Sequence, residues 1–297
     1  MIDEKLKKKY LKRLNKIPIA LIIGESTGLE SFKRILFDQN KLVSIIYVVS
    51  TSNIYNDQIK KICKEKKINF FTINQFKKKN TEIIKLNKKT KILLSIYSSI
   101  ILKKGFLKSL KYRCYNFHPG ILPFYRGKNC VSGAIYNSEK KIGISVHKMN
   151  NQIDSGKIIL QKKIKVSKDE TLFSAMLKLR RINLLLLSKL FFLIKKNIKF
   201  KLKRNDKKRA MAYPKYIPNF GLIHNNLSFL KFKKMFNAGF SGPYENDWGK
   251  LHFLYKRKKK TIYSFKIIKI YKRENILKKD KNTYDFFLKD AVLRLRT

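Results

Sequence analysis

Acidic side chains are scarce in this chain. Its 297 residues carry 19 Asp and Glu against 70 Lys and Arg, a formal charge of +51. That balance disfavours a cationic substrate and favours an anionic one. It also suits a polyanion such as RNA. The lysines, however, run through every segment alongside Ile and Asn and do not form a stripe of Arg and aromatics. Compositional bias explains that distribution better than a dedicated nucleic-acid surface does. Cysteine is almost missing: Cys63, Cys114 and Cys130 make neither a CxxC pair nor an even framework. A disulfide scaffold is thereby excluded, and a reducing compartment is expected. Neither the cysteines nor the four histidines have metal-ligand spacing, so no metal is expected. The lysine-rich lead-in Met1–Lys16 lacks the apolar centre of a secretory signal. The longest apolar run, Ile182–Ile194, is broken by Asn183 and Lys189 and is too short to span a bilayer. A cytoplasmic protein without membrane association is the expectation. Also missing is GxGxxG: the first turn reads Gly24-Glu25-Ser26-Thr27-Gly28, so no dinucleotide site is indicated. At most that turn offers backbone N–H groups to a substrate anion, with Gly24 as the candidate contact, and a tight turn alone explains it about as well.

Core-forming material is plentiful: 44% of residues are hydrophobic, with 21 Phe and 15 Tyr, which argues against general disorder. The apolar runs Pro18–Ile23, Val43–Val49, Phe70–Ile73 and Ile92–Ile96 alternate with helical spacing over Ser26–Phe37 and around Gln58–Lys66. Strands apolar on both faces and separated by helices predict an open, mostly parallel α/β sheet covered on both sides. Ligands of such a sheet sit beyond the carboxyl ends of its strands. Ile142–Met149 and Lys157–Val166 read as further strands, and Glu170–Lys195 as a long helix. A basic stretch at Lys196–Arg209 reads as a linker. Beyond it lie Pro214, Pro218, Pro243 and the strand-like runs Leu251–Tyr255 and Thr261–Ile270, a small β-rich subdomain. The division expected is a lead-in over 1–16, a catalytic domain over 17–205, and linker plus subdomain over 206–297.

Chemistry concentrates in Tyr115-Asn116-Phe117-His118-Pro119-Gly120-Ile121-Leu122-Pro123-Phe124-Tyr125-Arg126-Gly127. Side chains two apart on a strand share a face, so Asn116 and His118 project together. Pro119 and Gly120 then stop the strand. An amide donor beside an imidazole suits acyl transfer, one binding a developing oxyanion and the other handling a proton. Asp154, in Asn151-Gln152-Ile153-Asp154-Ser155-Gly156, follows on a turn between two strands and can orient the imidazole and favour its charged form. Taken alone, such a trio is more often structural.

The segments NFHPGILPFYRG, GISVHKM and IDSGKII, in that order and at that distance, resemble the formyltransferases that use 10-formyltetrahydrofolate. Members of that family share NxHxSLLPxYRG, TGVTxHxM and DxGxI, and the likeness covers roughly residues 17–200. It implies a Rossmann-like catalytic domain with 10-formyltetrahydrofolate as co-substrate, no metal, and catalytic roles for Asn116, His118 and Asp154. The pterin would lie against Ser99, Ile100 and Ile101, against Ile121, Leu122 and Pro123, against Lys128, and along the backbone of Asn150, Asn151, Gln152 and Ile153. Arg126 either binds a phosphate or glutamate tail of a substrate or braces its own loop. His147 matches a histidine that the family carries near the site, where packing or hydrogen bonding is the expected role. Two departures are Gly120, usually Ser in the family, and Lys128-Asn129-Cys130, where many members carry Pro.

The acceptor amine is narrowed by what surrounds the motif. Methionyl-tRNA formyltransferases carry a Trp-Arg-Gly-Ala-Ala-Pro loop and a basic insertion after the second strand. Here that region is only Ser50-Thr51-Ser52-Asn53-Ile54-Tyr55-Asn56-Asp57. A nucleotide-linked amino sugar is therefore the expected small-molecule partner. The alternatives are methionyl-tRNA, and then an inactive basic RNA-binding relative. Sugar-modifying members are often dimeric, so a homodimer is possible.

Overall fold

The computed structural model describes residues 16–242, 246–269 and 276–297. Most of the lead-in, Pro243 and Ile270 lie outside the described residues. Two compact units emerge. The first comprises residues 16–126, 143–162 and 180–209, and the second 127–142, 163–179 and 210–297.

In chain order the elements are β1 (Ile17–Ile23), α1 (Glu25–Asp38), β2 (Val43–Ser50), α2 (Asn56–Glu65), β3 (Asn69–Thr72), α3 (Ile73–Lys78), α4 (Asn80–Lys88), β4 (Ile92–Ile96), α5 (Lys104–Ser109), β5 (Cys114–His118), α6 (Cys130–Tyr136), β6 (Lys141–Lys148), β7 (Ile158–Lys165), α7 (Leu172–Lys195), α8 (Phe229–Gly239), β8 (His252–Tyr255), β9 (Lys258–Thr261), β10 (Ser264–Lys269), β11 (Ile276–Lys278), β12 (Thr283–Phe287) and β13 (Val292–Arg296). Strands β1 to β7 form one sheet in the order β3-β2-β1-β4-β5-β6-β7. Pairing is parallel from β3 to β5 and antiparallel between β5 and β6. The expected open, mostly parallel sheet is thus present.

Its centre explains the unbroken apolar runs. Every residue of β4 is buried, as are Ile19 to Ile23 of β1. One face, through Ala20, Ile22, Tyr47, Val49 and Leu93, packs with Phe71, Ile83, Phe106, Leu107 and Leu110. Ile19, Leu21 and Ile23, pointing the other way, are equally buried, so both faces of the sheet are covered. A polar chain that penetrates from Tyr47 is hydrogen-bonded along its length. Tyr47 Oη donates to Asn87 Oδ1 (2.7 Å), Asn87 Nδ2 to Ser109 Oγ (2.8 Å), and Ser109 Oγ to the Phe106 carbonyl (2.7 Å).

Strand order reverses between the parallel β1 and β4, the usual place for a ligand crevice. Here the turn after β1 closes against β4: Gly24 N–H donates to the Ile96 carbonyl at 3.0 Å. A Cβ on Gly24 would meet the Tyr97 carbonyl oxygen at 2.2 Å, so only glycine fits.

In the second unit, β10, β13, β12 and β11 form an antiparallel sheet and β8 pairs with β9. Phe253 sets its ring 5.1 Å from Tyr284 and 5.5 Å from Phe286. Trp248, 1% exposed, anchors the unit with Nε1–H donating to the Pro214 carbonyl at 3.0 Å. The single strand expected over Thr261–Ile270 is two strands. After Thr261 the chain leaves β8, with Ile262 N–H donating to the Leu251 carbonyl and Tyr263 N–H to the Arg296 carbonyl, and β10 then pairs with β13. The apolar pattern runs on through that switch because Ile262 is buried at it.

The stretch expected as a linker is tied to the first unit: Lys203 and Ile158 exchange backbone hydrogen bonds at 2.8 and 3.0 Å. Among the described residues no helix is long and apolar enough to cross a membrane.

Candidate active site

Strand β5 sits between parallel β4 and antiparallel β6, with Asn116 directly opposite His147 and His118 opposite Ser145. These four side chains lie on one face because their positions are two apart on each strand. Polar side chains at two buried positions of otherwise apolar β6, Ser145 at 0% and His147 at 2% exposure, were the available signal that the sequence reading underused.

Asp154 arrives from the loop after β6. Its backbone is left-handed, with φ +47°, a conformation that Asp tolerates better than most residues. Gly156 brings the chain back so close that an added Cβ would stand 1.8 Å from the Lys148 carbonyl oxygen. That turn puts the carboxylate among three side chains. Oδ1 accepts from Asn116 Nδ2 at 3.3 Å and lies 3.2 Å from His147 Nε2, while Oδ2 lies 3.4 Å from His118 Nδ1. The structure thus brings Asn116, His118 and Asp154 together and adds His147 as a fourth member.

Hydrogen-bond chemistry fixes where the imidazole protons sit. A carbonyl only accepts. His118 Nε2, 2.9 Å from the Tyr125 carbonyl oxygen, therefore carries a hydrogen. Its Nδ1 then shares a proton with Asp154 Oδ2, the pair being an imidazolium and carboxylate when that proton rests on nitrogen. His147 Nδ1 likewise donates to the Lys148 carbonyl at 2.8 Å, leaving Nε2 facing Asn116 Nδ2 at 3.3 Å. Both rings are nearly buried, at 4% and 2%, and the Asp154 side chain is 10% exposed. Low water content strengthens these attractions. Asn116 and Asp154 are half-buried as residues.

The loop after β5 is held from beneath. Ser145 Oγ donates to the Gly120 carbonyl (2.7 Å) and accepts from Leu122 N–H (3.0 Å), and Gln161 Nε2 donates to the Leu122 carbonyl (2.8 Å). Leu122, with both backbone groups turned inward, and the buried Ile121 and Pro123 form a firm floor. On the loop after β4, Ser99 is exposed, Ile100 half-buried and Ile101 67% exposed. On the loop after β6, Asn150, Asn151 and Gln152 are exposed and Ile153 is 56% exposed. Each loop thus holds an isoleucine outward, an apolar surface that water solvates poorly. Ile100 and Met149 behind them pack on the core cluster.

Arg126 makes bracing contacts. Its Nε donates to the Pro123 carbonyl at 3.3 Å, and its Nη2 to Asn205 Oδ1 and carbonyl at 2.7 and 3.1 Å. Burial lowers its pKa, with Asp154 and then Asp206 acting the other way. Gly24 has spent its N–H inside the sheet. Lys128 belongs to the second unit, its ammonium 3.6 Å from Asp247 Oδ2. The thiols Cys63 and Cys114 are buried and pushed up to about 12 by that burial, so neither is a nucleophile at neutral pH. Among the described residues no His, Cys, Asp and Glu cluster could hold a metal ion.

The family described as formyl transferase matches residues 17–189. GDP-perosamine N-formyltransferase of Brucella melitensis is 39% identical over 83 residues, 28% of this chain and 32% of that protein. Methionyl-tRNA formyltransferase of Buchnera aphidicola is 30% identical over 189 residues, 64% of this chain and 57% of that one. The chain spans about a third to just over half of the length of these curated relatives. Among solved structures, the N-formyltransferase from Helicobacter canadensis, in complex with folinic acid and dTDP-3-aminofucose, superposes with a TM-score of 0.65 at 16% identity, covering 95% of this chain and 99% of that one. At that identity the likeness establishes the fold.

Proposed function

The chain belongs to the formyl transferase family, and from that membership we propose that it moves the formyl group of 10-formyltetrahydrofolate onto the primary amine of a nucleotide-linked amino sugar. The observation that carries this reading is the collection of one carboxylate, Asp154, by an amide and two imidazoles at the end of β5. The two outward isoleucines, Ile101 and Ile153, with the firm floor Ile121–Pro123, suit a flat heteroaromatic ring. Ser99, Ile100 and Ile101, Ile121, Leu122 and Pro123, and Asn150 to Ile153 would hold it.

When bound, 10-formyltetrahydrofolate supplies the formyl carbon as an electrophile. Asn116 turns the amide hydrogen that faces His147 Nε2 onto the charge that develops on the formyl oxygen. One oxyanion donor of this kind contributes about 3 kcal/mol to the barrier. His118 and Asp154 hold one proton between Nδ1 and Oδ2, and Asp154 accepts the proton that the amine loses as its nitrogen bonds to carbon. His147, its Nε2 accepting from Asn116 Nδ2 in the resting site, holds that amide beside the Asp154 carboxylate. In the reverse sense the same pair returns a proton to the departing nitrogen, so the site ends the cycle as it began.

The sugar reading draws support from the 39% identical perosamine enzyme, and the high positive charge suits a pyrophosphate-bearing acceptor. Methionyl-tRNA is the second reading, favoured by the longer match to the Buchnera enzyme. The test incubates the chain with 10-formyltetrahydrofolate and either a panel of dTDP-, UDP- and GDP-amino sugars or charged initiator tRNA, following formyl incorporation. Turnover of a sugar is expected. Formylation of methionyl-tRNA without sugar turnover overturns the acceptor. Failure to release tetrahydrofolate with any amine, together with salt-sensitive retardation of RNA in a gel, replaces both readings with the RNA-binding one.

A further inference from the structure

The residue that joins the two halves of the candidate site lies outside every motif. Asn205 follows the Lys203 bridge to Ile158, is half-buried, and falls beyond the family match at 17–189. Its Nδ2 donates to the carbonyls of Asp154 (2.9 Å) and Gly156 (2.8 Å). Its Oδ1 and its own carbonyl accept from Arg126 Nη2. Arg126 in turn sits at the end of the loop whose Tyr125 carbonyl accepts from His118 Nε2. One amide therefore grips, by its nitrogen, the loop that carries Asp154 and, by its oxygen, the loop that fixes His118.

We propose that Asn205 is a positioning residue: through Asp154 and Arg126 it sets the separation between the Asp154 carboxylate and the His118 imidazole. Two features require such a clamp. Asp154 is held in the left-handed region, which most residues avoid, so its loop needs fixed donors to its carbonyls. The His118–Asp154 contact is also long, at 3.4 Å, where a small loop movement turns a shared proton into none. The side chain is specific in its polarity, since only an amide presents donors to two carbonyls and an acceptor to a guanidinium at once. Asn205 touches no reacting atom and acts through the two residues it holds.

The substitution that separates these roles is Asn205→Asp. It keeps the shape and the acceptor for Arg126 but removes both donors to the Asp154 loop and sets a charge against two carbonyls. The first reading is made on the unliganded protein: the 15N shifts of the His118 imidazole at fixed pH. The Asp154 carboxylate lies 3.4 Å from that ring's Nδ1, and the His147 ring stands edge-on to it with centroids 6.3 Å apart. Displacement of the His118 Nδ1 signal, with wild-type secondary structure, is expected. The second reading rests on the formyl-transfer proposal: kcat falls about tenfold to a hundredfold, the cost of misplacing a catalytic group by up to an ångström, while KM for both substrates stays within about threefold. Asn205→Gln, which keeps donors and acceptor on a longer arm, recovers part of both. Unchanged His118 signals and unchanged kcat in Asn205→Asp overturn the clamp. So does a uniform rise in KM at constant kcat. If Asn205→Asp does not fold, Asn205→Ala, which removes the donors and the side-chain acceptor alike, decides, and wild-type His118 signals in it overturn the proposal. Wild-type protein that shows no formyl transfer sinks the proposed function and leaves the His118 reading of Asn205 intact.

Discussion

Replacing Gly120 by alanine tests how tightly the site is packed. A Cβ at 120 would stand 2.5 Å from His118 Nε2 and 2.7 Å from the Tyr125 carbonyl oxygen, the two ends of one hydrogen bond. Neither end can yield cheaply. The carbonyl is backbone, and the imidazole is 4% exposed and held from its other nitrogen by Asp154. To reach ordinary contact at 3.4 Å or beyond, the ring must retreat by most of an ångström, and the Nε2–H to carbonyl bond is lost. Overpacking of this kind costs about 1–3 kcal/mol. Losing the bond adds about 1–3 kcal/mol, the upper end applying to a charged ring. Gly120→Ala should therefore destabilise the chain by about 2–6 kcal/mol by urea denaturation, with an unchanged denaturant slope. It should also lower kcat by at least about tenfold, because the ring that shares the Asp154 proton has moved. Stability within about 0.5 kcal/mol of the parent, with full turnover, would refute the reasoning, since the ring would then have had space to spare. Gly120 stands where the family usually has Ser. This chain's His118 therefore rests on its loop in a way that a serine at 120 would forbid.

Other perturbations probe the frame around the site. Glu170, 2% exposed before α7, is opposed by burial but outweighed by Lys178, Ser174 and Ser167, which leave its carboxyl at about 2 against an ordinary 4.5. Its stabilisation is complete above pH 4.5 and fades as pH falls toward 2, so Glu170→Gln should cost about 1–3 kcal/mol at pH 7, discounted for the half-exposed Lys178. Thermal melts of the two proteins should converge near pH 2, and a gap independent of pH would contradict the assignment. Tyr47→Phe strands Asn87 Oδ1 in the core and should cost about 1–3 kcal/mol, read by thermal unfolding; no loss would mean that the Asn87 amide finds another partner. If a pyrophosphate-linked sugar is the acceptor, its KM should rise steadily between low and physiological ionic strength, because the surface charge that draws it in is screened. A salt-independent KM would remove the functional reading of the +51 charge.

Period and burial made the fold readable from the sequence. Ile17–Ile23 and Ile92–Ile96 carry no polar alternation because both faces are covered, and that alone demands a parallel sheet with helices on either side. Asn116 and His118 were readable because strand alternation and the Pro119-Gly120 stop place them on one face at a strand end. His147 was only half readable: its strand position was plain, but its register against Asn116 depends on an antiparallel pairing that the sequence does not display. Asn205 could not be read at all. It lies in a lysine-rich stretch with no periodicity, and its meaning comes from a two-residue bridge to β7 that brings it beside a loop far away in sequence. The strand break at Ile262 was hidden for the opposite reason, since the buried apolar residue at the switch continues the alternation of its neighbours.

The measurement closest to the central claim is single-turnover formyl transfer from 10-formyltetrahydrofolate by wild-type protein and by Asn116→Ala, with unfolding curves recorded for both. The account expects the variant to be slower by about a hundredfold to a thousandfold, with unfolding curves that superpose within about 0.5 kcal/mol. An Asn116→Ala protein that transfers formyl at the wild-type rate would contradict it.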